Sequence, residues 1–196
     1  RGRPKVVLAR NYEEALALYE KYKDNTLGVI SDAQFPVNGK KDPEAGLKLL
    51  RAIRAEDEYV PLIMESSDSE NRQRAEAEGF RFVDKNSKKM SIDLRRIMEE
   101  HMGFGDFIFR DPKTHEELVR IHSLKELQDN IFKIPRDSML YHISRNHMSR
   151  WLTARAIFPV SAFLKQVTWH KLQDVDAHRQ IIFDAIVQYR HMKNIG

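Results

Sequence analysis

Three residues that could together handle a phosphoryl group, Asp32, Ser66 and Lys85, each stand at the end of a short apolar run. The runs are Leu27-Gly28-Val29-Ile30, Leu62-Ile63-Met64 and Phe82-Val83, the last reaching Lys85 through Asp84. A carboxylate can act as nucleophile, a hydroxyl can donate a hydrogen bond and an ammonium can neutralise the added charge. Such chemistry also wants a divalent cation held by oxygen ligands, and a single carboxylate is a poor cage for one.

For these side chains to meet, the runs must be neighbouring strands of a parallel sheet, whose ligands gather at the carboxyl ends of the strands. The first hundred residues carry that pattern. With Val6-Val7-Leu8-Ala9 there are four apolar runs, each continuous rather than alternating, as strands covered on both faces require. Amphipathic stretches fill the intervals, which predicts an α/β fold. Asn11 with Glu14 three places on caps one helix, and Asp42-Pro43 opens the next, with Leu47, Leu50 and Ile53 on one face. Ser69 to Glu78 and Ser91 to Met102 read as two more, ended by Gly79 and Gly103. Val37 to Glu44 reads as a loop.

Beyond residue 105 the rhythm changes. Phe107–Phe109 and Leu118–Ile121 flank Asp111-Pro112-Lys113-Thr114, a turn-forming cluster that predicts a hairpin. Ser123 with Glu126 predicts a capped helix to about Phe132. One long helix is expected from Asp137 to Ile157, closed by Pro159, and a last one from Asp174 to about Lys193. The expected organisation is an α/β domain over 1–105 and a small hairpin and helical module over 106–196.

Composition excludes several classes. The 196 residues are 41% hydrophobic and contain no cysteine, which rules out a disordered tail, a disulfide scaffold and thiolate metal sites. No apolar run approaches the ~18 residues of a membrane span, and Val6–Ala9 is too short for a signal-peptide core, so a cytoplasmic protein without membrane contact is expected. The net charge of +4 is unevenly placed. Residues 1–110 hold 20 basic and 20 acidic side chains, and no acidic residue lies between Asp137 and Asp174.

At this point the chain resembles the receiver domain of two-component response regulators over about residues 5–102. Asp32-Ala33-Gln34-Phe35-Pro36 is similar to the phospho-acceptor segment, Gly46 to Arg54 to the glycine and helix that follow it, Pro61 to Ser67 to the strand ending in a hydroxyl, and Ala77 to Lys85 to the last strand. The resemblance implies a flavodoxin-like, receiver-like parallel sheet that lacks its first strand-helix unit. It also implies Asp32 as phospho-acceptor, with Ser66, Lys85 and the switch aromatic Phe82 answering the phosphoryl group. Mg2+ would be held by Asp32 and the main-chain oxygen of Gln34, in a site left incomplete because the acidic pair expected on a first strand is missing. Asn86 stands where the family has a proline.

A wider resemblance, through Gly103-Phe104-Gly105-Asp106-Phe107 and Tyr141-His142, is to the N-terminal region of bacterial phosphoenolpyruvate synthase-like or pyruvate phosphate dikinase-like proteins. It implies a regulatory module, not itself catalytic, that modulates an attached phosphotransfer enzyme. The partners implied are a histidine kinase or other phosphodonor, the downstream phosphotransfer domains of a parent chain, and a second copy in a homodimer. The alternative is a degenerate pseudo-receiver that serves assembly without phosphorylation.

The remaining signals read blandly. His142 and His147 are five apart, about 140° around one continuous helix, so they would not share a face and read as surface or interface histidines. Arg145, Arg150 and Arg155 are likewise five apart and form no stripe, so nucleic acid is not an expected partner. Trp151, Trp169 and the methionines read as core.

Overall fold

The structure is a computed structural model and describes residues 4–193. They form two compact units, Pro4–Met102 and the stretch from Gly103 onward. Together these make an α/β architecture with one parallel sheet, two antiparallel hairpins and nine α-helices among the described residues.

In the first unit, helix α1 (Tyr12–Tyr22) starts at Asn11, whose side-chain oxygen accepts the N–H of Glu14 at 2.8 Å. Strand β1 (Val29–Asp32) follows a 3-10 turn at Lys23–Asn25. A hairpin of β2 (Phe35–Val37) and β3 (Lys40–Asp42) leads to α2 (Ala45–Glu56). Then come β4 (Leu62–Ser66), α3 (Glu70–Ala77), β5 (Arg81–Asp84) and α4 (Met90–His101). Strands β1, β4 and β5 form a parallel sheet in the order β1-β4-β5. Leu47, Leu50 and Ile53 of α2 pack with Leu62, Met64 and Phe82 of the sheet in one buried cluster. Ile63 and Val83, on the opposite face by alternation, are buried as well. That two-sided burial is why these runs are continuous in sequence.

Two expectations for this unit are corrected. Val6–Ala9 forms no strand: Val6 and Leu8 are 85% and 80% exposed, and β1 has β4 as its neighbour in the sheet. An apolar run does not hold an extended ladder without a partner strand. The stretch from Val37 to Glu44 is not an open loop but contains the β2–β3 turn, in which Asn38 and Gly39 both take positive φ, 50° and 78°, the backbone that a two-residue hairpin needs.

The second unit opens with the antiparallel pair β6 (Phe107–Arg110) and β7 (Glu117–Ile121). Helix α5 (Leu124–Asn130) is capped by Ser123, whose hydroxyl accepts Glu126 N–H at 3.2 Å, while the Glu126 carboxylate accepts His122 N–H at 2.8 Å. Four helices follow: α6 (Arg136–Ser144), α7 (His147–Ala154), α8 (Phe158–Gln166) and α9 (Val175–Lys193). Phe109, Ile121, Leu127, Met139, Trp151, Leu152 and Ile182 lie in its core.

The single helix expected over 137–157 is therefore two, broken where Asn146 takes a left-handed backbone with φ 56°. Pro159 does not close a helix but sits in the first turn of α8, where a missing N–H costs nothing. The break also overturns the reading of the two histidines. His142 is a core residue at 4% exposure, and its Nδ1 lies 2.9 Å from Nδ1 of His147.

Candidate functional site

Asp32 is the last residue of β1 and pairs in register with Glu65 of β4; Ser66, the last of β4, pairs with Asp84 of β5. The N–H of Lys85 donates to the Ser66 carbonyl at 3.0 Å, continuing that pairing by one residue. Three strand ends are thus level at one edge of the sheet. Alternation puts Asp32, Glu65 and Lys85 on one face of it and Ser66 on the other.

Helix α2 fixes the end of β1 from the side. The N–H of Gly46 donates to the carbonyl of Ala33 at 2.9 Å. A Cβ at position 46 would lie 2.3 Å from the Asp32 carbonyl oxygen and 2.9 Å from Ala33 Cα, both main-chain atoms. Only glycine allows this approach.

Lys85 Nζ donates to Asp32 Oδ1. The two side chains stay 39% and 53% exposed, so a small molecule can reach the carboxylate. Ser66 is turned elsewhere. Its hydroxyl oxygen accepts the N–H of Asp68 and the Nδ2 hydrogen of Asn71, each at 3.0 Å, at the start of α3. Both lone pairs are engaged, and what the hydroxyl has left to give is its hydrogen. Phe82 is 8% exposed, with the Arg72 guanidinium 4.8 Å from its ring centre. Gln34 is exposed, in the link between β1 and β2. Asn86 donates through Nδ2 to the Ser67 carbonyl at 3.0 Å, tying the loop after β5 to the loop after β4.

The structure therefore brings Asp32 and Lys85 into contact and sets Ser66 one strand away, bonded to α3. Two neighbours have no counterpart in the sequence reading. Glu65 has its carboxyl pushed up, first by burial, with Lys85 pulling it down and Asp32 raising it further, which marks it as a third charge at this edge. Asn71 holds the Ser66 hydroxyl. The signal for Glu65 was an acidic residue inside an apolar strand, legible only once the β1–β4 register is known.

No family model, curated protein or solved structure matches the chain.

Among the described residues no group of three or more His, Cys, Asp or Glu side chains could hold a metal ion. Magnesium usually keeps several waters and is held by one or two carboxylates; here the Asp32 carboxylate is engaged by Lys85, with Glu65 beside it on the same face of the sheet.

In the second unit, the basic stretch serves its own backbone. Arg155 donates to the carbonyls of Gly103 and Gly105 at 2.7 and 2.6 Å and stacks on Trp151 at 4.0 Å, and Trp151 Nε1 donates to the Gly105 carbonyl at 3.1 Å. Arg145 lies over the Tyr141 ring at 4.2 Å. None of the described helices is long and apolar enough to cross a membrane.

Proposed function

We propose that the Pro4–Met102 unit is a receiver-like, flavodoxin-like regulatory module that accepts a phosphoryl group on Asp32 and modulates an attached phosphotransfer enzyme. The observation that carries this reading is the contact of an exposed carboxylate with a lysine ammonium at the carboxyl ends of parallel strands. A carboxylate oxygen of Asp32 attacks the donor phosphorus. The donor's bond to phosphorus breaks, and its electron pair leaves on acetate oxygen or, from a phosphohistidine, on a ring nitrogen. No proton is taken from Asp32. The acyl phosphate brings one more negative charge than the carboxylate it replaces, and Lys85 lies beside it to compensate. Ser66 faces the other side of the sheet, so its free hydrogen reaches a phosphoryl oxygen only if the loop after β4 moves, and Phe82 would have to leave its place under Arg72 for the surface to change.

Beryllofluoride, a phosphoryl mimic, added with and without magnesium, tests this. Resonances of Lys85, Ser66 and Phe82 are expected to shift in the wild type and to stay still in Asp32→Ala. The engagement of the Asp32 carboxylate by Lys85 favours a second reading, a pseudo-receiver that binds partners unphosphorylated. Under that reading beryllofluoride leaves both spectra unchanged.

A further inference from the structure

We propose that His142 and His147 form a pH-operated latch across the corner between α6 and α7, closed while both imidazoles are neutral and opened by a proton on His147. The backbone N–H of Arg110 in β6 donates to His142 Nε2 at 3.0 Å, which makes Nε2 the acceptor of that ring. A neutral imidazole has one of each, so its hydrogen is on Nδ1. That hydrogen points across 2.9 Å to Nδ1 of His147, which must be bare, leaving the His147 hydrogen on Nε2. Only this arrangement satisfies the chain from Arg110 through His142 to His147, and it has both rings neutral. A second proton on His147 would set two N–H groups against each other at that separation, and the bond is lost.

The bond runs beside a corner that the backbone also ties, Asn146 N–H donating to the Ile143 carbonyl at 3.1 Å and Arg150 N–H to the Asn146 carbonyl at 3.3 Å. Helix α6 ends at Ser144, α7 begins at His147, and the left-handed Asn146 lies between them. Aromatic rings and cations are among the groups facing the pair. Phe107 and Phe109 of β6 lie 5.1 and 5.4 Å from the His142 ring, and Tyr141 of α6 lies 4.9 Å from His142 and 5.6 Å from His147. Arg110 of β6 and Arg145 of the corner face it with positive charge, and His115 of the β6–β7 turn lies behind Tyr141 at 6.2 Å. Burial and the two arginines hold His142 down to about 3, so His142 keeps its single proton, while His147 beside it is half-buried. Phe107 also meets Trp151 of α7 edge-on at 5.9 Å, which carries the opening to a fluorophore.

The test uses the full chain in a Trp169→Phe background, because Trp169 lies 5.9 Å from His178 and would add a response of its own. Nitrogen NMR near neutral pH is expected to find His142 as the Nδ1–H tautomer and His147 as the Nε2–H tautomer. As the pH falls, protonation of His147 and a change in Trp151 emission should share one midpoint. His147→Gln keeps an acceptor for His142 and cannot titrate, so the emission response is expected to vanish. An Nε2–H tautomer at His142, or a Trp151 response unchanged in His147→Gln, overturns the latch. If His147→Gln does not fold, the tautomers of the unsubstituted rings still decide.

Discussion

Asp32 and Lys85 are each exposed to a large degree, so their ion pair is screened by water and worth at most about 1 kcal/mol of stability. Its worth is chemical. Lys85→Met is therefore expected to change unfolding free energy by less than about 1 kcal/mol while lowering the rate of phosphoryl uptake roughly a hundredfold, as loss of one preorganised charge does. Chemical denaturation and a time course of mass gain check the two halves. Ser66 behaves oppositely. Ser66→Ala leaves the Asp68 N–H and the Asn71 amide without their acceptor in a part-buried place, and a loss of about 1–3 kcal/mol is expected in the same denaturation. Asp32, Ser66 and Lys85 were legible because each ends an apolar run. Glu65 and Asn71 were not, because what they touch depends on strand register and on the turn after β4.

The contact of α2 with the end of β1 sets where Asp32 stands. Gly46→Ala brings a Cβ against main-chain atoms that cannot rotate away, so α2 or β1 must shift. A destabilisation of about 1–3 kcal/mol is expected, as overpacking gives, with slower phosphoryl uptake in the fraction that folds. Thermal unfolding and mass gain measure both, and an unchanged melting temperature would contradict the packing argument. Elements defined by local signals were readable: the Asn11 cap of α1, the Ser123 cap of α5, and strands β4 and β5. Elements defined by tertiary partners were not. Val6–Ala9 has the composition of a strand but no ladder in the sheet. The break between α6 and α7 leaves no proline or glycine in the sequence; it depends on Asn146 turning left-handed, with His142 and His147 bonded across it. Pro159 is ambiguous in any sequence, since the same residue that stops one helix is favoured in the first turn of the next.

On the scale of the whole molecule, the two units should answer acid differently. In the unfolded chain an imidazole takes a proton at about 6.5, whereas folded His142 resists until about 3. Between those values the unfolded state holds the extra proton, so stability of the Gly103-onward unit is full above pH ~6.5 and declines as pH falls, by up to about 1.4 kcal/mol per pH unit. Asp106, Asp111, Glu117 and Asp129 of the same unit have lowered values, Asp106 against burial through Arg120 and His122, and Glu117 through Arg120; they add their loss only at lower pH. Urea unfolding followed by tryptophan emission, which reports this unit alone since both tryptophans lie in it, should show the decline begin before the carboxylates titrate. A flat stability from neutral pH down to the carboxylate range would contradict it. For the Pro4–Met102 unit the deciding experiment is incubation with acetyl phosphate followed by intact mass and peptide mapping. A gain of one phosphoryl group is expected on the peptide containing Asp32, absent in Asp32→Asn. A wild-type chain that gains none, or gains it elsewhere, would overturn Asp32 as the phospho-acceptor.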